Sequence, residues 1–456
     1  MTLTYQEILG YFYSLANYEQ IAPATYSSAT LNLERMRDLL ALLGNPHERY
    51  KTIHIAGTKG KGSTAAMLTS CLRQLGLKVG LYTSPHLTTF RERIQVNGEF
   101  ISRDDVVNLG EKIKILAERV PGVTTFEAIT AMGFQYFADQ NVDWAVVEVG
   151  LGGRLDATNV ITPQVSVITS LSFDHTKWLG NTLTEIATEK AGIIKPGVPV
   201  VSTSQPLEAT AVLERIAHER NAPLIMLGRH WRWTPGTTSL DKQSFEVKQV
   251  ARVRSKENPY VNDLEGWYEI PLLGKHQLDN ATTVIATLDV LRSRGSGLDI
   301  SARTMREGLR QTSWPGRFEI LRSEPPLIAD GAHNIDSVNK LAVALVEIFP
   351  GKRWVVVFGC YKDKDADGIM KALGPRTTRW IMTQVDNPRA MPVEQLLDLA
   401  KAHNLKAVAL PKVVDAMDAV INSKDAVCVT GSVALVGAAR AVWAKRSHGI
   451  IPDTDE

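Results

Sequence analysis

The sequence predicts an α/β protein of two domains, each a largely parallel sheet flanked by helices, with a small antiparallel β subdomain inserted in the first. Three observations carry this reading. Short β-branched runs alternate with helical periodicity from Ile53 to about residue 228, and again from Pro326 to Thr430. A small, polar, glycine-rich stretch, Arg292-Ser293-Arg294-Gly295-Ser296-Gly297, interrupts that alternation. From about Gly228 to Tyr268 the helical period disappears, and Trp231, Trp233, Phe245, Val247 and Trp267 stand among turn residues. The expected division is residues 1–296, a P-loop-type domain with the insertion at about 228–270, and residues 297–456, a Rossmann-like α/β domain.

Composition narrows the class. A chain of 456 residues has room for two or three domains. Its 51 basic and 49 acidic residues, net +2, leave no electrostatic footprint for nucleic acid or an anionic membrane, so any polyanion it binds is small. Cys71, Cys360 and Cys428 are odd in number, far apart and set in apolar segments, as expected of reduced core thiols in the cytoplasm. The start Met1-Thr2-Leu3-Thr4-Tyr5-Gln6-Glu7 lacks the basic and apolar regions of a signal peptide. The uncharged run Ala426 to Ala439 is too short and too interrupted by glycine to span a bilayer.

Along the chain, residues 1–50 alternate helical patterns with a polar loop. Leu33, Met36, Leu39, Leu40 and Leu43 form a helical stripe that Gly44-Asn45-Pro46 ends. The run Ile53-His54-Ile55-Ala56 then passes through Gly57-Thr58-Lys59-Gly60-Lys61-Gly62-Ser63 into a helical pattern from Thr64. Strand, glycine loop and helix in that order cradle a phosphate: backbone N–H groups close around it, the helix N-terminus adds partial positive charge, and Lys61 supplies a cation. The usual hydroxyl after the lysine is replaced by Gly62, so a magnesium-holding hydroxyl must come from Ser63, Ser84 or elsewhere.

Further strand ends collect polar chemistry. Lys78–Tyr82 is expected to be a strand ending in Thr83-Ser84-Pro85-His86, followed by Arg91 and Arg93. Open α/β sheets bind ligands outside the carboxyl ends of their strands. A helical stretch including Thr125–Met132 leads to Trp144-Ala145-Val146-Val147-Glu148-Val149, an apolar strand broken only by Glu148. A carboxylate there requires an ion pair, a metal or a role in orienting water. After the glycine-rich turn 150–159, the strand Val165–Thr169 ends in Ser172-Phe173-Asp174-His175, which adds a nitrogen donor to the same crevice. Thr184–Ile194 reads as a helix, and Val198–Ser202 and Pro223–Leu227 as strands. Helical patterning resumes at His276. In the second domain, strands near 326–329, 354–358, 380–383, 406–410 and 426–430 end in polar loops: Asp330-Gly331-Ala332-His333-Asn334, Gly359–Asp365 and Gly431-Ser432.

Taken together, the Gly57–Ser63 loop and the segment Val146–Ile161 resemble the two signature segments of the folylpolyglutamate synthase/dihydrofolate synthase family, ATP-dependent amide ligases related to the muramyl-peptide ligases. The resemblance continues through Thr83-Ser84-Pro85-His86, Asp174-His175, Glu189-Lys190-Ala191-Gly192, Leu273–Gln277, Trp314-Pro315-Gly316-Arg317 and Asp330–Asn334, covering nearly the whole chain in order. Lys59 stands where many members have Asn.

The resemblance implies an enzyme that phosphorylates a folate carboxylate with ATP and joins it to the amine of L-glutamate, acting on tetrahydrofolate, with dihydropteroate as the substrate of the companion dihydrofolate synthase step. It implies ATP bound by Gly57, Thr58, Lys59, Gly60, Lys61, Gly62 and Ser63, with Asn280 on the adenine side and Arg317 and Asp330 from the second domain. Mg²⁺ would be held by Ser84, Glu148, His175 and a carbamylated Lys190, with K⁺ as an activating ion. Lys61, Glu148, His175, Lys190, Arg317 and His333 would form the catalytic set, and Arg93 and Ser432 would grip the incoming glutamate. A cytoplasmic monomer with small-molecule substrates, binding neither nucleic acid nor membrane, is expected. Two other readings fit parts of the pattern. A muramyl-peptide ligase would carry a UDP-binding domain ahead of the loop, for which the 56 residues before Gly57 are few. A non-catalytic nucleotide-binding regulator would have lost Glu148, His175, Lys190 or Arg317, and all four are present.

Overall fold

The computed structural model describes residues 3–17, 31–251, 263–450 and 453–455. Met1 and Thr2, the polar loop expected within residues 1–50 (18–30) and the middle of the insertion (252–262) lie outside the described residues.

The first sheet comprises β1 (Lys51–Ala56), β2 (Val79–Tyr82), β3 (Ile94–Val96), β4 (Glu99–Phe100), β5 (Trp144–Glu148), β6 (Val165–Ile168), β7 (Val200–Ser202) and β8 (Leu224–Met226). Among the described residues its order is β4-β3-β2-β5-β1-β6-β7-β8, with β3 and β4 antiparallel and the rest parallel. The chain leaves β1 toward β2 on one side and later returns to place β6 on the other. The carboxyl ends of β1, β5 and β6 therefore border a topological switch point, where a crevice opens above the sheet.

Both sheet faces are covered. On one, Ile53, Ile55, Val146, Val165 and Val167 pack against Met67, Leu68 and Leu72 of the helix Lys61–Arg73 and against Leu278, Ile285 and Leu288 of the helix Lys275–Ser293. On the other, Ala145 and Val147 meet Phe12, Leu39, Ile113, Phe134 and Phe137 from four helices. Continuous burial of β5 follows, and it leaves Glu148 inside protein at the strand's last position, opposite Ile55. The insertion is antiparallel, as expected: β9 (Trp231–Thr238), β10 (Gln243–Gln249) and β11 (Gly266–Ile270). Trp233 Nε1 donates to Asp279 Oδ1 at 2.8 Å, pinning it to the helix Lys275–Ser293.

The second sheet is β12 (Glu319–Ser323), β13 (Pro326–Asp330), β14 (Trp354–Phe358), β15 (Thr377–Gln384), β16 (Ala407–Lys412) and β17 (Ala426–Thr430). Its order is β12-β13-β17-β14-β15-β16, with only β12 antiparallel among the described strands. Alternate residues of β14 serve two cores, Val356 and Phe358 on one face and Val355 and Val357 on the other. The antiparallel strands β3, β4 and β12 at the sheet margins escape sequence reading, because Glu319–Ser323 is only partly buried and the other two are two or three residues long.

The glycine-rich stretch 292–297 does not separate the cores. Ile300, Met305 and Leu309 belong to the core of the first sheet, and Ser70 Oγ donates to the Gly308 carbonyl at 2.6 Å. The helix Ala302–Arg310 thus packs on the first lobe, and its apolar positions draw it back across the break. Leu309→Ala should destabilise the first lobe by about 3 kcal/mol, since a fully buried leucine leaves both lost transfer energy and a cavity. Urea unfolding measures this, and a cost well under 1 kcal/mol would place the helix outside that core.

Candidate active site

Between the lobes lies a cleft of about 1460 Å³ whose wall includes the phosphate loop, the carboxyl ends of β2, β5, β6, β13 and β14, and the start of the helix Val433–His448. Its floor is the Gly57–Ser63 turn. Gly60 has φ +92°, a left-handed conformation that favours glycine, and caps the helix Lys61–Arg73 without a side-chain hydrogen bond. The first-turn N–H groups are left to serve an anion. Gly62 stands against Trp314: a Cβ there would lie 2.9 Å from the indole.

Two lysines converge on one carbonyl. Lys61 Nζ donates to the Gly57 oxygen at 3.2 Å, and Lys190 Nζ, from the helix Leu183–Ala191, donates to the same oxygen at 3.0 Å. Lys190 is buried; desolvation, reinforced by the neighbouring Lys61 charge, pushes its amine down to about 7. Glu148 is equally buried, and its contacts are long: the Ser84 N–H at 3.4 Å and Lys61 Nζ at 3.9 Å. Burial raises its carboxyl to about 7, against the pull of Lys61.

A second cluster crosses the cleft. Asp174 accepts from Lys59 Nζ at 2.7 Å, Asn334 Nδ2 at 3.0 Å and Lys364 Nζ at 3.3 Å, the last two from the second lobe. Burial alone would raise its carboxyl, yet the ammonium groups of Lys59 and Lys364 hold it far below the carboxylate range. His333 Nδ1 faces the Gly331 carbonyl at 2.8 Å and so carries the proton, leaving Nε2 to accept from Lys59 Nζ at 2.9 Å. Burial lowers Lys59 to about 8.

The remaining expected residues fall around these two clusters. His175, at φ +51°, donates its backbone N–H to Asp174 Oδ1 at 3.0 Å, and its ring opens to the cleft with Nε2 3.9 Å from the same oxygen. Asn280 sits on the phosphate loop itself, donating to Gln277 Oε1 at 2.9 Å, while Gln277 reaches Ser63 Oγ at 3.4 Å. Arg317 donates to the Gly316 carbonyl at 3.0 Å, and its charge bears on both Glu148 and Asp330. Asp330 accepts the Phe318 and Ala332 N–H groups at 2.7 and 2.8 Å, a framework role at the end of β13. Arg93, buried, donates Nε–H to His86 Nδ1 at 2.9 Å, and Ser432 Oγ caps the helix Val433–His448 by accepting the Leu435 N–H at 3.1 Å. Both line the cleft.

Sequence reading placed Asp174 and Lys364 in strand-end loops but gave neither a role, and so missed their pairing. The alternating charges Lys362-Asp363-Lys364-Asp365 at the end of β14 were the available signal. It also passed over an aromatic and carboxylate arm of the cleft formed by Tyr13, Phe126, Leu155 and Asp156.

Residues 55–288 match the Mur ligase middle domain and residues 316–433 the glutamate ligase domain of Mur ligases. The chain is 36% identical over 407 residues to dihydrofolate synthase/folylpolyglutamate synthase of Bacillus subtilis, covering 88% of this chain and 92% of that protein. The chain belongs to the folylpolyglutamate synthase/dihydrofolate synthase family. A crystal structure of Mycobacterium tuberculosis folylpolyglutamate synthase with ADP and AMPPCP superposes with TM-score 0.81 at 32% identity, covering 91% of this chain and 95% of that one. A folylpolyglutamate synthase complex with AMPPCP and folate gives TM-score 0.78 at 30% identity, over 96% and 99% of the two chains. Within this family fold, Asp174 is a buried charge through which the lobes meet, beside the exposed pair of Lys275 with Glu347. Asp174→Ala should leave Lys59 and Lys364 without their counter-charge, lowering stability by ~3 kcal/mol and enlarging the radius of gyration in small-angle scattering.

Proposed function

We propose that the chain catalyses ATP-dependent ligation of L-glutamate to a folate carboxylate, as folylpolyglutamate synthase with dihydrofolate synthase as companion activity. The observation that carries the reading is the gathering of Lys59, Lys61, Lys364 and Arg317 around a glycine loop that opens into a cleft between lobes. A carboxylate acylates poorly in water, so its oxygen attacks the γ-phosphorus of ATP, ADP leaves, and an acyl phosphate forms. The glutamate amine then attacks the acyl carbon, phosphate departs and the amine loses a proton. Negative charge that develops on the transferring group meets cations already fixed in place.

In this reading the Gly57–Ser63 N–H groups and Lys61 hold the β- and γ-phosphates, with Asn280 supporting the loop from the adenine side. Arg317 and His333 close on the phosphoryl group from the second lobe, with Asp330 setting the loop on which His333 stands. Arg93 and Ser432 face the incoming glutamate, and the Phe126–Asp156 arm takes the flat end of the folate. Glu148, Ser84, His175 and Lys190 would hold Mg²⁺. A buried carboxylate with only long contacts fits a cation that arrives with a triphosphate, and no ready cage of three His, Cys, Asp or Glu side chains stands among the described residues. Bound there, Mg²⁺ would screen phosphate charge and orient the γ-phosphoryl group.

The lowered Lys190 amine supports its carbamylation: the neutral form adds CO₂ and releases a proton, exchanging a cation that would repel a metal for an anion that can hold one. The lobes divide, in this proposal, at about residues 312–316 rather than at 297. One chain supplies every named group, so the working unit is a monomer, and its reduced thiols and use of ATP suit the cytoplasm.

Purified protein given ATP, Mg²⁺ and glutamate should release ADP when offered tetrahydrofolate or dihydropteroate, and the failure of both would sink the proposal. Lys61→Ala and Glu148→Ala should each lower kcat by about 10³-fold or more with the circular dichroism spectrum unchanged. Arg317→Ala should raise the KM for ATP more than the KM for folate.

A further inference from the structure

The loop between β2 and β3 carries Ser84 and Arg93 into the cleft, and its shape is set from two sides. Inside, Glu92 collects the N–H groups of Leu87, Thr88 and Thr89 at 2.6, 2.8 and 3.0 Å. Outside, residues that follow the second lobe in sequence return to the first. The Asp455 carboxylate accepts from Tyr5 Oη at 2.6 Å, from Thr89 Oγ1 at 2.7 Å and from the Phe90 N–H at 2.7 Å. Arg103 Nη2 donates to the Thr454 carbonyl at 2.6 Å, and Asp453 pairs with Arg91 and Arg103. The helix Val433–His448 touches the same loop, since a Cβ at Gly437 would lie 1.8 Å from the Leu87 carbonyl oxygen.

We propose that Asp455 is a positioning residue, and that the segment Asp453–Asp455 clasps the loop 84–93 at Thr89 and Phe90 so that Arg93 keeps its working geometry. Three donors on one carboxylate, two of them from the loop, are stronger than neutral hydrogen bonds and directional. The clasp ties the loop at Thr89 and Phe90, three to four residues before Arg93, while Gly437 fixes Leu87. A loop held at both places cannot shift Arg93 without straining the bonds to Asp455 or the packing on Gly437. Burial and the Asp455 charge both raise the Tyr5 hydroxyl, so it stays protonated and remains a donor. The kinetic consequence rests on the function proposed above, whereas the clasp itself does not.

The test uses the full chain with Asp455→Ala, Asp455→Glu, Tyr5→Phe and the double variant Tyr5→Phe/Asp455→Ala. Asp455→Ala should raise the KM for glutamate about tenfold with the KM for ATP changed less than about twofold, and should speed amide exchange at Phe90 about tenfold. Asp455→Glu should recover part of both effects. Tyr5→Phe should give a smaller effect alone and none in the Asp455→Ala background, as expected for partners in one contact. The proposal is overturned if Phe90 exchange and the KM for glutamate stay within about twofold of the parent, or if the KM values for glutamate and ATP rise together in step with a fall in Tm. Should the parent protein release no ADP with any folate, the functional reading fails, and Phe90 exchange still decides the clasp.

Discussion

The arrangement depends on cationic charge held out of water at the switch point of the first sheet. Lys61 and Lys190 share the Gly57 carbonyl, and neither is neutralised at close range: the nearest carboxylate to Lys61 is Glu148, at 3.9 Å. Burying ammonium groups side by side is unfavourable, and it shows in the lowered Lys190 amine. The fold sustains the cost because both lysines stand on helices packed against a doubly covered parallel sheet, Lys190 buried and Lys61 open to the cleft. A triphosphate relieves the conflict, which is why a site so unfavourable when alone is selective for a polyanion.

The second lobe completes that site by charge as well as by shape. Asp174 belongs to the first lobe, yet Asn334, Lys364 and His333 gather on it from the second, and Lys59 of the phosphate loop joins them. The loop that binds phosphate and the loop that ends β13 therefore share one hydrogen-bond network. Movement of either lobe changes the surroundings of Lys59 and fixes or frees the His333 tautomer. In the proposed reading, closure and chemistry share this network, because Lys59 and His333, which join the lobes, would also face the reacting phosphoryl group. The Asp453–Asp455 segment adds a second tie on the opposite side of the cleft, at the loop that carries Arg93.

Local pattern was enough for the scaffold. β-branched runs, glycine turns and helical stripes report backbone periodicity, which is set by near neighbours; β1, β5, β14 and β17, the phosphate loop and the antiparallel insertion were all legible for that reason. Short edge strands and the helix Ala302–Arg310 were not, since their pairing is decided by distant surfaces. The glycine-rich break at 292–297 misled for the same reason: a turn signal says where the chain bends, not which core the next helix joins.

For the site, the sequence alone identified the residue types a phosphate-handling cleft needs, because strand ends in an α/β sheet are where such residues must stand: Lys61, Ser84, Glu148, His175 and His333 all border one cleft, as does Arg317, which only the family resemblance supplied. Only the tertiary structure decided which charges meet. Asp174 finds Lys364 across 190 residues, Lys190 turns to the Gly57 carbonyl, and Asp455 reaches Tyr5 across 450. Nothing in a linear pattern encodes such pairings, since hydrogen bonds and desolvation act through distance in space and the chain brings these groups together only after both sheets have formed.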